Sequence, residues 1–143
     1  MSACLVVRVD WPTHETALRE IREAVFIREQ AVPVTLEWDG LDEHAQHLLA
    51  CDDHGLAIGC ARILSGGVIG RMAVLPAWRR RGVGAALLAA AVDHCREQGW
   101  SPICLSAQTH AIGFYMRAGF VVCSEPYLDA GILHRDMRLD LSA

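Results

Sequence analysis

The chain has 143 residues, of which 52% are hydrophobic and 21% are charged, and its formal net charge at pH 7 is −4. This length and apolar content suffice for one hydrophobic core, so we expect residues 1–143 to form a single domain. An acidic chain lacks the basic charge of nucleic-acid-binding proteins, and no run approaches the roughly 18 apolar residues of a membrane span. We therefore expect neither nucleic acid nor membrane as a partner, and a cytoplasmic location.

The N-terminal part of the chain is predicted to form a strand and then an amphipathic helix. Residues 5–9 are an apolar run of strand length, and from Thr13 to Val25 apolar residues recur at helical spacing. From Phe26 to Glu43 this periodicity fades, while proline, glycine and acidic residues become frequent. That composition predicts a functional loop or a short second helix.

An antiparallel meander of three strands is predicted next. Residues 47–51 and 56–64 are apolar runs separated by a polar turn, and Gly66-Gly67 is a hairpin signal that leads into a third strand. This third strand begins at Val68 and ends before Pro76, because proline has no N–H to donate to a neighbouring strand.

A basic, glycine-containing turn and a long helix follow the third strand. The turn consists of Arg79, Arg80, Arg81, Gly82, Val83, Gly84 and Ala85. Apolar residues then recur at helical spacing as far as Gln98, and Gly99 supplies a left-handed C-cap. Unpaired N–H groups at such a helix start, with arginines beside them, are suited to an anion with several oxygens, such as a diphosphate.

Two common phosphate-binding patterns do not fit this turn. A P-loop requires Lys followed by Ser or Thr, which is absent after Gly82. A dinucleotide fingerprint requires a third small residue at the position that Leu87 occupies. A solvated arginine run before an ordinary helix stays open as an alternative.

The last third of the chain is predicted to continue with short strands and one helix. Residues 103–105 are expected to form a buried strand and residues 111–118 a short helix. Residues 120–123 and 134–139 are expected to form two more strands, separated by a loop at 125–131.

Two groups of residues resemble motifs of a known protein family. Arg79-x-x-Gly82-x-Gly84, preceded by the strand exit Val74-x-Pro76, resembles motif A of the GNAT acetyltransferase superfamily. The residues that resemble its motif B are Gln108, Ala111, Phe114, Tyr115, Gly119 and Phe120. The segment VFIREQAVPVTLEWDGLDEHAQH and the later GILHRDM are similar to the ElaA-like branch of small GNAT proteins.

The resemblance implies a fold, a cosubstrate and a reaction. The fold is of the α/β class, with a central, mostly antiparallel sheet, flanking helices and one parallel pair of strands that splays apart. The cosubstrate is acetyl-CoA, whose acetyl group passes directly to an amine of a small molecule or peptide in a ternary complex. A homodimer is left open. The residues implied to bind acetyl-CoA are Met72, Ala73, Val74, Arg79, Arg80, Arg81, Gly82, Val83, Gly84, Ala85, Gln108 and Phe114.

Acetyl transfer needs a donor to the thioester oxygen, a proton for the leaving thiolate and a base for the amine. The resemblance implies backbone N–H groups of residues 72–74 for the first role and Tyr115 for the second, with an ordinary core tyrosine as the alternative. The base is not identified, because Gly70 and Arg71 stand where many family members carry a glutamate. The candidates by chemistry alone are Glu43, His47, Glu125 and His134.

The missing glutamate keeps a second class of function open. The chain could be an acyl-CoA-binding regulatory module that has lost turnover. A non-enzymatic interaction domain with an incidental arginine patch is a third interpretation, and it predicts no binding of CoA.

The remaining charged and sulfur-containing residues predict no metal site. The cysteines stand singly, without a C-x-x-C pair, and are expected to be reduced core residues. His44 and His47 lack an identifiable third ligand. A group of acidic residues either attracts a cationic amine or is simply solvated; its members are Glu29, Glu37, Asp39, Asp42 and Glu43.

Overall fold

The computed structural model describes residues 4–141, which build one mixed sheet with helices on both faces. Its eight described strands are β1 Leu5–Val9, β2 Gln46–Cys51, β3 Ala57–Leu64, β4 Val68–Val74, β5 Ile103–Gln108, β6 Val121–Val122, β7 Tyr127–Asp129 and β8 Ile132–Leu139. The strand order is β1-β2-β3-β4-β5-β8-β6, with β7 also paired to β8. The β4–β5 pair is parallel and the others are antiparallel, which confirms the predicted fold class.

Four α-helices connect or flank these strands. They are α1 Trp11–Arg22, α2 Val34–Glu37, α3 Val83–Gln98 and α4 Ile112–Arg117. Asp10 caps α1 by accepting a hydrogen bond from the Thr13 N–H at 2.7 Å, which satisfies one of the unpaired donors of the first turn. After Arg22 the helix continues as a π-helix, Glu23–Glu29, so helical structure extends further than the fading apolar periodicity predicts.

The core has two layers, one on each face of the sheet. On one face, α3 buries Leu87, Ala91 and Cys95 against strand residues such as Ile58 and Ile103. The other face of β2 to β4 is covered by α1, whose buried residues include Leu18 and Ile21, together with Val25 of the π-helix. Full burial of each large aliphatic side chain contributes about 1.5–3 kcal/mol, so these two helices hold the sheet in place.

The parallel strands β4 and β5 are paired at one end and separate at the other. Their register joins Val68 to Cys104 and Ile69 to Leu105, and no further pair follows in the described strands. Beyond Ile69 the strands diverge and leave a wedge-shaped cleft in the middle of the sheet. This is the splayed pair that the sequence resemblance implies.

A β-bulge distorts β4 where the cleft opens. Gly70 pairs with Arg62 and Ala73 pairs with Cys60, so Arg71 and Met72 together oppose one residue of β3. Arg71 adopts a φ of 47°, a left-handed conformation that costs a non-glycine residue of the order of 1 kcal/mol or more. The Cys60 thiol donates a hydrogen bond to the Arg71 carbonyl at 3.4 Å and supports this conformation.

Two predictions about local structure are wrong. The expected loop at residues 125–131 contains β7, which forms a hairpin with β8 through a turn at Ala130 and Gly131. The cysteines are not all core residues, because Cys104 and Cys123 are exposed, whereas Cys60 and Cys95 are buried. Among the described residues, no helix has the length and apolar character required to cross a membrane.

Candidate active site

The cleft between β4 and β5 exposes backbone groups that strands normally satisfy by pairing. The part of β4 that contains Met72, Ala73 and Val74 pairs with β3 on one side. On its other side, pairing with β5 has already ended at Ile69. Backbone N–H and C=O groups along this free edge are therefore available to a ligand that lies in the cleft.

The basic turn lies at the N-terminus of α3, close to the end of β4. Gly82 is the N-cap residue and has a φ of 84°, and no atom of the described residues lies within 4 Å of the position that a Cβ would occupy there. Because no side chain caps α3, the N–H groups of its first turn face outwards with the positive end of the helix dipole. This geometry is suited to an anion, as the sequence predicts.

The three arginines of the turn differ in their contacts. Arg79 is held by Glu29 through two hydrogen bonds of 2.6 and 2.7 Å and donates a third, of 3.0 Å, to the Val74 carbonyl. This pairing holds the pKa of Glu29 below its ordinary value. Arg80 and Arg81 are exposed and form no ion pair with any residue from 4 to 141, and the Arg81 guanidinium lies 5.1 Å from the centre of the Trp78 ring. Arg79 therefore fixes the turn to the π-helix, while Arg80 and Arg81 carry the free positive charge.

The start of α3 packs against α4, which forms one wall of the cleft. A methyl group placed on Gly84 would lie 3.4 Å from Phe114 Cζ and 3.9 Å from Val74 Cγ2. The glycine therefore allows Phe114 to approach the helix start. Val83 is buried in the core, whereas Ala85 and Phe114 line a groove of about 360 Å³ between α3 and α4.

Tyr115 reaches from α4 across to β4. Its ring packs edge to face against Phe114 and Phe120, at centroid distances of 5.0 and 6.1 Å. Its hydroxyl donates towards the Met72 sulfur, 4.0 Å away. Burial raises the pKa of Tyr115 to about 12, so the phenol stays protonated at neutral pH but is a weaker acid than tyrosine in water.

Gln108, at the end of β5, lies opposite the segment that follows the π-helix. Its amide donates to the Gln30 side-chain oxygen at 2.8 Å, and the reciprocal contact is 3.4 Å long. These two side chains link residues 78 positions apart in sequence. The link places the segment after the π-helix next to the open end of the cleft.

An arginine–carboxylate network fixes the segment that follows the π-helix to the sheet. Its members are Arg22, Glu37, Asp39, Asp42, Arg62 and Arg71. Arg22 bonds Glu37 at 2.7 Å and Asp42 at 2.6 Å, and all three residues are buried. Arg71, at the bulge, donates to the Glu37 carbonyl at 3.0 Å and to Asp39 at 3.1 Å.

The network corrects one interpretation of the acidic residues. Although burial opposes its ionisation, hydrogen bonds from Arg62 and Leu41 hold the pKa of Asp39 at about 2. Glu37, Asp39 and Asp42 therefore compensate buried arginines, and Glu29 compensates Arg79. Because they are paired with arginines, they are not free to attract a cationic amine, and Glu43 alone of the group is exposed without an ion pair among the described residues.

The four residues proposed as a base differ in their surroundings. His47 is 1% exposed, its Nε2 bonds the Asp42 carbonyl at 2.8 Å, and burial lowers its pKa. The Nδ1–H of His134 donates to the Ile132 carbonyl at 2.7 Å. Glu43 and Glu125 are exposed on loops.

Three hydrogen-bonded side chains beside the cleft were not identified from the sequence. They are here called the Ser106–Tyr127–Asp136 chain. The Ser106 and Tyr127 hydroxyls are hydrogen-bonded, and the Tyr127 hydroxyl donates to Asp136 Oδ1 at 2.5 Å. Ser106 lies on β5, Asp136 lies directly opposite on β8, and Tyr127 lies on β7. The alternation of polar residues along a strand was only a weak signal for this site, because such residues usually face solvent.

The sequence and the fold are both similar to those of known acetyltransferases. The family model described as an acetyltransferase (GNAT) domain matches residues 13–141. The chain is 37% identical over 123 residues to the uncharacterised N-acetyltransferase YjcF of Bacillus subtilis, covering 84% of this chain and 88% of that protein. It is 35% identical over 130 residues to protein ElaA of Escherichia coli, covering 85% of this chain and 84% of that protein.

Two crystal structures extend this similarity to the fold. That of Escherichia coli ElaA has a TM-score of 0.85 at 30% identity and covers 95% of this chain and 99% of its own. That of an acyl-CoA N-acyltransferase from Pseudomonas aeruginosa has a TM-score of 0.85 at 33% identity and covers 96% of this chain and 99% of its own.

Proposed function

Because this chain belongs to the GNAT acetyltransferase family of acyl-CoA-dependent enzymes, we propose that it transfers an acetyl group from acetyl-CoA to an amine of a small molecule or peptide. The transfer is direct, in a ternary complex, without an acyl-enzyme. The observation that carries the proposal is the cleft between β4 and β5, which opens next to the uncapped N-terminus of α3. A thioester with a phosphate-bearing tail needs both features side by side.

The residues of the cleft are suited to the parts of acetyl-CoA. The outward N–H groups at Gly82 and Gly84, with Arg80 and Arg81 beside them, are donors for a diphosphate. The free edge of β4 at residues 72–74 offers N–H and C=O groups to an amide-containing chain and a donor to the thioester oxygen. Ala85 and Phe114 border the groove between α3 and α4, at the outer end of this path.

Tyr115 is proposed to stabilise the departing sulfur. Its hydroxyl already points at a sulfur atom, that of Met72, on the edge of β4 that faces the cleft. With a pKa of about 12, its proton is held too tightly for full transfer to a thiolate with an ordinary pKa of about 8.5. The phenol therefore acts mainly as a hydrogen-bond donor to the thiolate, which takes its proton from water.

Removing this hydroxyl is expected to lower turnover while leaving binding intact. In Tyr115→Phe the ring and its contacts with Phe114 and Phe120 remain, so the melting temperature and the Kd for acetyl-CoA should change little. We expect kcat to fall about 10-fold, less than the roughly 100-fold or more typical of a full general acid, because water can replace the donor. Steady-state thiol release reports kcat. Undiminished turnover would make Tyr115 a core residue only, and loss of acetyl-CoA binding would make its hydroxyl structural.

The proposed function is tested by combining a binding assay with a turnover assay. Acetyl-CoA should raise the melting temperature, and free thiol should appear when a panel of primary amines is added. If acetyl-CoA stabilises the protein but no amine in the panel leads to thiol release, the result would favour the alternative, an acyl-CoA-binding module without catalysis. The observation that supports this alternative is the absence of a carboxylate at Gly70 and Arg71. No stabilisation by acetyl-CoA or CoA would contradict both functions.

A further inference from the structure

One face of β5 carries polar side chains at the position where the sheet splits. Ile103, Leu105 and Ala107 are buried towards α3, so the alternation of the strand directs Ser106 and Gln108 to the opposite face. Gln108 bonds Gln30 on that face, next to the segment that follows the π-helix. The face of β5 that carries Ser106 is therefore the one opposite the α3 layer and its basic turn.

Ser106 lies at the apex of the cleft. The last paired residues of β4 and β5 are Ile69 and Leu105, so Gly70 and Ser106 are the first residues of the two strands that separate. A Cβ built on Gly70 would meet no atom of residues 4–141 within 4 Å, so there is open space beside this point of β4. A hollow of about 260 Å³ on this face is lined in part by Ser106 and Asp136.

The hydrogen bonds of the Ser106–Tyr127–Asp136 chain have a defined direction. A phenol has one hydrogen, and that of Tyr127 is donated to Asp136. The Tyr127 oxygen must then accept the Ser106 hydrogen, which leaves lone pairs of the Ser106 oxygen free to accept a further donor from the cleft. Burial and the Asp136 carboxylate raise the pKa of Tyr127, which keeps the phenol protonated.

The surroundings hold this chain in place. The Tyr127 ring stacks on the buried ring of His134, with centroids 6.1 Å apart and an interplanar angle of 22°. The backbone N–H of Asp136 donates to the Ser124 hydroxyl at 2.8 Å. The carboxylate is thus fixed on a paired strand, directly opposite Ser106 in the register of β5 and β8.

We infer that Ser106 accepts a hydrogen bond from the acceptor amine and that the proton lost by the amine passes through Tyr127 to Asp136. This inference rests on the proposed function and supplies the base that the sequence does not identify. It places the acceptor amine in the space beside Gly70, between the diverging strands. Asp136, on β8, thereby takes up the proton of an amine that lies beside Gly70, where β4 has no side chain.

The proposed transfer conserves every atom and electron pair. The amine enters neutral, its lone pair forms the C–N bond with the thioester carbon, and the C–S bond breaks with its electron pair on sulfur. The nitrogen loses one proton to the Ser106 oxygen, the Ser106 proton moves to Tyr127, and the Tyr127 proton moves to Asp136. The products are an amide, a thiolate that water protonates, and a carboxylic acid at Asp136 that water deprotonates.

The test compares two acceptors in Asp136→Asn. A carboxamide can still accept the Tyr127 hydrogen bond but cannot take up the proton, so we expect kcat with a primary alkylamine to fall about 10-fold, with the Kd for acetyl-CoA unchanged. With hydroxylamine, whose nitrogen becomes more acidic on attack and can lose its proton to water, the fall should be less than about 3-fold. If Asp136 had only a structural role, Asp136→Asn would lower kcat equally with both acceptors, and that result would overturn the inference.

Matched variants complete the experiment. Asp129→Asn removes a carboxylate from the same hairpin that makes no side-chain hydrogen bond or ion pair within residues 4–141, and it should retain the wild-type rates. Ser106→Ala should show the same dependence on the acceptor as Asp136→Asn. Full alkylamine turnover in both variants would overturn the inference while the proposed function stands. If the wild type releases no thiol with any amine, the proposed function fails first and the inference fails with it.

Discussion

Arg22→Ala is expected to lower the free energy of unfolding by about 3–5 kcal/mol, because it breaks the buried pairs with Glu37 and Asp42, whose remaining ion pairs, with Arg71 and Arg62, are longer at 3.2 Å. The Arg22 side chain is 1% exposed and bonds Glu37 at 2.7 Å and Asp42 at 2.6 Å. Its guanidinium also lies 4.8 Å from the centre of the Trp38 ring. The midpoint and slope of urea unfolding, followed by tryptophan fluorescence, give the free energy.

Arg19 on the same helix is the matched control. It pairs with Glu15 four residues earlier, both side chains are about 40% exposed, and its guanidinium lies 4.4 Å from the centre of the Trp38 ring. Arg19 thus shares the tryptophan contact but not the buried ion pairs, so Arg19→Ala should cost no more than about 2 kcal/mol. If Arg22→Ala does not fold, Arg22→Lys keeps the charge and loses the forked geometry, and should show a smaller loss of the same sign. Equal losses for Arg19→Ala and Arg22→Ala would contradict the importance of the network.

Gly84→Val is expected to weaken CoA binding by at least about 2 kcal/mol, or about 30-fold. The cause is the approach of Phe114, since the first added carbon already lies 3.4 Å from its ring and valine adds two further methyl groups beyond it. Displacing Phe114 moves α4 away from the start of α3 and disturbs the wall of the cleft that carries Tyr115. Isothermal titration of CoA into the folded variant measures the effect.

Gly84→Ala is the graded control for this prediction. Its single methyl group would make ordinary contacts of 3.4–3.9 Å with Phe114 and Val74, and alanine is favoured over glycine within a helix by up to about 1 kcal/mol. We therefore expect CoA affinity within about 3-fold of the wild type. Unchanged CoA affinity in a folded Gly84→Val variant would show that the start of α3 is not part of the binding site.

Much of the fold was predictable from the sequence because its signals are local. The first strand has the predicted bounds, Leu5–Val9, and α3 ends before Gly99 in the left-handed conformation expected of its C-cap. β7 was missed because its pairing with β8 depends on a turn at Ala130, where a non-glycine residue has a φ of 52°. The bulge at Arg71 was also missed, since a register shift between two strands leaves no pattern in either.

The candidate site was predictable to the extent that it follows from one continuous segment. The turn at residues 79–85 and the helix after it indicated an anion site without any long-range information. The partners of its charges were not predictable, because Arg79 meets Glu29 from 50 positions away. The same holds for Tyr127 and Asp136, whose link to Ser106 exists only through the register of β5 with β8 and the β7–β8 hairpin.

The divergence of β4 and β5 has a consequence for solubility. Unpaired strand edges are templates on which other chains add strands and aggregate, and they usually occur at the borders of a sheet. Here two such edges face each other inside the sheet, and the Gln30–Gln108 contact lies beside their open end. A slender ligand can enter this wedge, whereas a strand of another molecule would need room for its side chains on both faces. Restricted access thus keeps the unpaired hydrogen-bonding groups of the cleft from pairing with strands of other copies.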